Sequence, residues 1–293
     1  MKWTWPTVWA DERGGWWRVA VTLVLFALGC LLGNLLLLAA CSAGLNDAMK
    51  NLPLHVQEMA RPIAIFFNAS FGLVGCLIGV RFIHHKPVAC VFTDGRPFRF
   101  TFAVQSAALW LLLWFAGASL IPARWEVIQK RAGEIPLIGL VMLSVVILCT
   151  TTVQGTLEEV VFRGYLQPRV GAWVKRPWIA VLIIGLVFVA GHPDAWTAPG
   201  IIYIASFGLA CGVGGVRTGT LAPLCGLHAA ENAMNWLWFP HDSNAADTWP
   251  MAGVTAAGLA IWLGWLFWTT RQKPTNTLER PDIGLKHEHT HTA

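Results

Sequence analysis

Long apolar runs, broken by short polar segments, pattern this chain almost from end to end. A helix that crosses a bilayer needs about 20 mostly apolar residues. Eight stretches meet or approach that length: 17–40, 62–83, 101–121, 136–167, 178–192, 199–216, 221–239 and 251–270. The fifth is short and the sixth is rich in glycine. The pattern predicts an all-α, polytopic membrane protein with eight transmembrane helices. It predicts a segment at 1–16 before the bundle, the bundle itself over 17–270, and a polar tail at 271–293.

Composition agrees with a membrane protein. Apolar residues make up 55% of the chain and charged residues 13%, against about 25% charged in soluble domains. The net charge of +5 is modest. No basic and aromatic residues interleave on a soluble face, so a nucleic-acid partner is not expected. Seventeen tryptophans include Trp3, Trp5, Trp9, Trp16, Trp17, Trp249, Trp265 and Trp268 near ends of apolar runs. That is headgroup level, where amphipathic rings gather. Seven cysteines without a CxxC pair read as small core residues, not as a disulfide framework or zinc ribbon.

Charge in the connections sets an orientation. With the N-terminus in the cytoplasm, 15 Lys and Arg fall on the cytoplasmic side and 5 on the other. Both termini are then cytoplasmic, as an even number of spans requires. Leu38, Ala39, Ala40 and Cys41 resemble a lipoprotein cleavage box. The region before them is long and contains Asp11 and Glu12, unlike a short positive signal region. The first run is therefore expected to stay as a helix. The tail, with His287, His289 and His291, reads as solvated and disordered.

Three places put polar chemistry inside apolar runs, where an ionisable group is a functional-site hypothesis by default. The first carries Glu158, Glu159 and Arg163, the second Phe188 and His192, the third His228, Glu231 and Asn232. Counted from the basic ends of their helices, Glu158 and His228 lie about 16 Å deep, Asn232 about 22 Å and His192 about 24 Å. All four share one broad layer of the bilayer. Glu159 and Arg163 are four apart and share a helix face, which turns Glu158 elsewhere. His228 and Asn232 share a face in the same way. Glu231 falls off that stripe and has no partner evident in the sequence.

A carboxylate, two imidazoles and an amide at one depth suit peptide hydrolysis. The carboxylate can take a proton from water, and a histidine can orient that water. Histidine and asparagine can donate to an oxyanion. Alternatively Glu158, His192 and His228 can bind zinc with a position left for water. Charged groups in membrane helices also build proton relays, so a proton-coupled transporter is a second reading, although no inverted repeat is evident. A catalytically silent immunity or binding protein is a third.

In this order, Glu158-Glu159-x-x-x-Arg163, Phe188-x-x-x-His192 and His228-x-x-x-Asn232 resemble the motifs of the CAAX prenyl-protease and bacteriocin-processing (CPBP, or Abi) family of intramembrane endopeptidases. The resemblance covers roughly 136–239, and Leu221, Ala222 and Pro223 fit the context of the third motif. It implies an intramembrane catalytic cavity open to the cytoplasm and the lipid. It implies that Glu158 activates water with help from His192, that His228 and Asn232 stabilise the oxyanion, and that Glu159 and Arg163 support the site. Its substrates are membrane-proximal or lipid-modified, CAAX-type peptides or proteins, and its expected location is a bacterial inner membrane. No strict HExxH zinc motif is present. Water activated by glutamate is the leading expectation, with zinc as the alternative cofactor.

Overall fold

A computed structural model describes Trp9, residues 15–239 and residues 248–271. Most of the leading segment 1–16 and almost all of the tail 271–293 lie outside the described residues. Among those described there is no strand, only an isolated antiparallel bridge between Thr93 and Thr220.

Among the described residues, ten α-helices of eight or more residues organise the bundle. They are α1 (Trp16–Ala40), α2 (Ala60–Ile78), α3 (Phe100–Ser119), α4 (Pro122–Glu134), α5 (Leu137–Glu159), α6 (Gln167–Val174), α7 (Pro177–Ala190), α8 (Ala198–Thr218), α9 (Ala222–Trp238) and α10 (Trp249–Arg271). Between α5 and α6 the chain does not break. It winds as a π-helix over Val160–Leu166, which makes Leu137–Val174 one helical run of 38 residues. Short π-helical turns are frequent at functional sites.

Among the described residues, six runs are long and apolar enough to cross a membrane: Trp16–Gly44, Leu54–Ile83, Phe100–Ser119, Leu137–Val174, Ala198–Thr218 and Trp249–Arg271. The expected fifth and seventh spans are helices of 14 and 17 residues. Local sequence shortens both. Gly191 and Pro193 end α7 before His192 can join it. At the start of α9, the left-handed Gly219 ends α8 and forces a turn. At its far end Phe239, which precedes Pro240, leaves the helix.

The stretches bearing the three motifs pack into a shared interior. Leu157, Val160, Val161, Phe188, Phe207, Leu224 and Leu227 belong to one buried core. By contrast α1 presents Val24, Leu28, Leu31, Leu32, Leu35 and Leu36 outward, as a lipid-facing helix would. At the end of the bundle where α9 stops, polar α4 lies against it. Arg131 donates to the Leu237 carbonyl at 2.5 Å and pairs with Glu58 at 2.5 Å. At the opposite end of α9, the segment after α2 pins its first turn. Leu221 N–H donates to the Phe92 carbonyl and Asp94 N–H to the Gly219 carbonyl, both at 2.9 Å.

Trp9 differs from its expected place at headgroup level. It is fully buried, edge-on to His84 at 5.3 Å and to Tyr165 at 5.6 Å. Trp16, Trp17, Trp249 and Trp268 are exposed, as membrane anchors should be. Of the seven cysteines, four are buried.

Candidate active site

Glu158 and Glu159 are the last two residues of α5, so the site sits where α-helix gives way to π-helix. The two carboxylates part as their helical angle requires. Glu159 is wholly buried, and its Oε1 takes Arg163 Nη1 at 3.2 Å and His228 Nδ1 at 2.7 Å. Arg163 is fixed in turn by the Gly208 carbonyl of α8, at 3.1 Å from Nη2. The Phe188 ring lies under its guanidinium at 4.2 Å. Hydrogen bonds to a buried ion pair offset its desolvation; here α8 and α9 supply them and α7 a ring face, while Glu159 Oε2 and Arg163 Nε make none to a described residue.

One turn further on, Gln167 Nε2 donates to the Gly212 carbonyl at 3.0 Å. Arg163 and Gln167 thus grip two α8 carbonyls that are also one turn apart. The helix bearing them comes so close to its neighbour that a methyl group on Gly164 would collide with the Val91 carbonyl.

Glu158 turns to the other side. Gln154, one turn earlier on α5, donates its amide to Glu158 Oε1 at 3.3 Å. Oε2 lies 3.5 Å from His228 Nε2 and 3.8 Å from His192 Nε2, and it accepts no hydrogen bond from a described residue. The Glu158 side chain is 16% exposed and that of His192 32%, whereas those of His228 and Glu159 are 4% and 0%. Of the two glutamates, Glu158 is the one with an approach from outside.

Both imidazoles are oriented through Nδ1. His192 turns Nδ1 to the Phe188 carbonyl at 2.7 Å. A carbonyl only accepts, so Nδ1 carries the proton there. His228 Nδ1 faces the Glu159 carboxylate in the same sense. In the neutral rings both Nε2 atoms are then acceptors, and they face the Glu158 Oε2 acceptor. Aromatic rings pack the imidazoles in place: Phe188 against His192 at 4.5 Å, and Phe207 edge-on to His228 at 4.9 Å. Gly155 makes room for His228, since a Cβ there would press on its Cβ and ring at 3.2 Å.

Asn232 follows His228 by one turn of α9. It is half-buried, and its amide makes no hydrogen bond to a described residue. Glu159, Arg163, Glu158, His192 and His228 therefore form one connected constellation, with Asn232 beside it on α9.

Residues 140–234 match the family model described as type II CAAX prenyl endopeptidase Rce1-like. The chain carries an Rce1-like segment. The resemblance to CPBP endopeptidases rests on the same three motifs, and all of them lie inside the match. Among curated proteins, the uncharacterized protein YyaK of Bacillus subtilis (strain 168) is 24% identical over 226 residues, which cover 74% of this chain and 73% of YyaK. No solved structure matches the chain. The apolar helices and the Rce1-like segment together point to an integral membrane protein.

Among the described residues, no group of three or more His, Cys, Asp and Glu is arranged to hold a metal ion. Three further members of this region escaped the sequence reading. Gln154 and Gln167 each lie one turn from a motif residue, and that spacing within an apolar run was the available signal. Tyr203, one of two tyrosines in the chain, meets Glu231 across two helices, and spacing within one helix could not reveal it.

Proposed function

We propose that this protein is an intramembrane endopeptidase that cleaves membrane-proximal or lipid-modified, CAAX-type peptides with a water activated by Glu158. The observation that carries the reading is the convergence of Glu158 Oε2 with the Nε2 atoms of His192 and His228. A water that donates one hydrogen to Glu158 Oε2 and the other to His192 Nε2 has its oxygen lone pairs turned away from the carboxylate and free to attack.

Glu158 takes one proton as the water oxygen bonds to the scissile carbonyl carbon. His192 aligns the water. The oxyanion accepts from the Asn232 amide and from His228, when Nε2 carries a proton. Glu159 at Nδ1 balances the charge that this proton brings, and Arg163 keeps Glu159 ionised and in place. As the C–N bond breaks, Glu158 returns its proton to the leaving amine, which restores the carboxylate. No step is routed through a metal.

The reading includes eight spans, with the two short helices crossing a bilayer locally thinned around the site. It includes a cavity reached from the cytoplasm and the lipid, both termini in the cytoplasm, and a bacterial inner membrane as the location. The bundle over 17–270 is then the catalytic domain, and the segments 1–16 and 271–293 are accessory.

The test uses purified protein in liposomes with an internally quenched peptide ending in a farnesylated CAAX sequence. The wild-type chain should cleave it. Glu158→Gln should lose about 10³-fold in kcat or more, within the usual range for a general base, with its thermal unfolding unchanged. Undiminished turnover by that variant overturns the mechanism, and no cleavage by wild type overturns the substrate class.

A further inference from the structure

Glu231 is not used by the mechanism above, although it sits on α9 between His228 and Asn232. A carboxylate at membrane depth costs a few kcal/mol or more to place, so an apolar residue would be the default there. This one is 3% exposed and receives donors from three helices. Trp110 of α3 donates its indole N–H to Oε2 at 2.6 Å. The Tyr203 hydroxyl of α8 donates to Oε1. Asn235, one turn further along α9, donates its amide to the same oxygen at 3.0 Å and to the Tyr203 oxygen at 3.1 Å.

The placement matters more than the number of bonds. Tyr203 precedes Phe207 by one turn of α8, and Phe207 packs on His228. The antiparallel pair α8 and α9 therefore carries two adjacent rungs, Tyr203 with Glu231 and Phe207 with His228. The first is polar and directional, while the second is an apolar contact that tolerates sliding. A hydrogen-bonded rung fixes both the turn of α9 about its axis and its height against α8. Trp110 fixes the same carboxylate from the far side, on a helix outside the Rce1-like match. A small rotation of α9 would move His228 Nε2 off Glu158 and turn the Asn232 amide with it.

We propose that Glu231 is the positioning residue that aims His228 and Asn232, acting through the rigid setting of α9 between Trp110 and Tyr203. The inference rests on the protease reading for its kinetic consequence, but its geometric content does not.

Two measurements on the full chain in nanodiscs test it. In the first, kcat and KM for the quenched farnesylated peptide are compared in wild type, Glu231→Ala, Glu231→Gln, Tyr203→Phe and Glu231→Ala/Tyr203→Phe. Glu231→Ala should lose about a hundredfold in kcat, the scale of a misplacement of about 1 Å, with KM within about twofold. Glu231→Gln, which keeps an acceptor for Trp110 and a group that can pair with Tyr203, should retain most of the activity. Tyr203→Phe should cost less than Glu231→Ala and add nothing to it. A lower unfolding temperature with kcat unchanged would make Glu231 structural only. A glutamine variant as impaired as the alanine variant would also overturn the proposal.

The second measurement reads the nitrogen resonances of 15N-labelled histidine, with His228 assigned from a His228→Gln variant. The His228 signals should move in Glu231→Ala and stay in place in Glu231→Gln. Signals unmoved in both variants overturn the inference, whether or not wild type cleaves the peptide. Moved signals in a chain that cleaves nothing support the positioning and discard the protease.

Discussion

The Nδ1 of His228 lies 2.7 Å from the Oε1 of Glu159. Through this contact a fully enclosed carboxylate, with no approach of its own, sets the orientation of an imidazole that faces a more accessible one. It divides two adjacent glutamates into an enclosed, orienting member and a more accessible one.

Removing only one charge of the Glu159–Arg163 pair should be worse than removing both. Arg163→Met leaves a carboxylate enclosed without its cation, and breaking a buried pair in this way costs about 3–5 kcal/mol. The expected result is a sharply lowered unfolding temperature in detergent. The double variant Glu159→Gln/Arg163→Met removes both charges and should regain much of that loss, while cleavage stays absent because His228 has lost its carboxylate. Unfolding temperatures that simply add across the two single variants would refute the coupling.

Chelation separates the two chemistries that the polar residues allow. If Glu158 acts on water without a metal, prolonged dialysis against a strong zinc chelator leaves turnover of the farnesylated peptide unchanged. Turnover that disappears on dialysis and returns with added zinc would rule that mechanism out. His192→Asn supplies an independent arm. Its amide can still reach the Phe188 carbonyl but presents no Nε2, and kcat should fall about 10²-fold with folding preserved.

Gln154 should matter beyond its place in an apolar helix. Its amide engages Oε1 of Glu158 and leaves Oε2 to face the imidazoles. Gln154→Leu has similar bulk and no donor. Losing a hydrogen bond to a charged group costs about 1.5–3 kcal/mol, which corresponds to roughly a tenfold or greater fall in kcat/KM. An unchanged kcat/KM in a well-folded leucine variant would show that the carboxylate needs no such restraint.

Much of the site could be read from spacing within single helices. The i, i+4 relation of Glu159 and Arg163, the separate facing of Glu158 and the approach of His192 and His228 to it all follow from helical angles and depth. The structure departs where chain geometry outside one regular helix decides. Gly191 and Pro193 cut α7 to 14 residues, although 178–192 reads as a continuous apolar span. Trp9 looks like an interfacial anchor by composition, yet His84, Tyr165 and Arg169 surround its ring. Glu231 had no account in the sequence because Trp110 and Tyr203 lie 121 and 28 residues away. Contacts between helices leave no periodic trace along the chain.

The π-helical stretch Val160–Leu166 has a consequence for how this run tolerates change. Glu158 and Glu159 lie before it, and the grips of Arg163 and Gln167 on α8 lie within and just after it. A wider winding alters the angular phase between those two halves. Deleting a single residue anywhere from 160 to 162 would leave both carboxylates where they are and swing both grips away from Gly208 and Gly212. The stretch acts as a vernier between the carboxylate-bearing end of a long helix and its anchoring end. Outside Arg163 and Gly164, substitutions that keep its length are therefore absorbed far more readily than any change in its count.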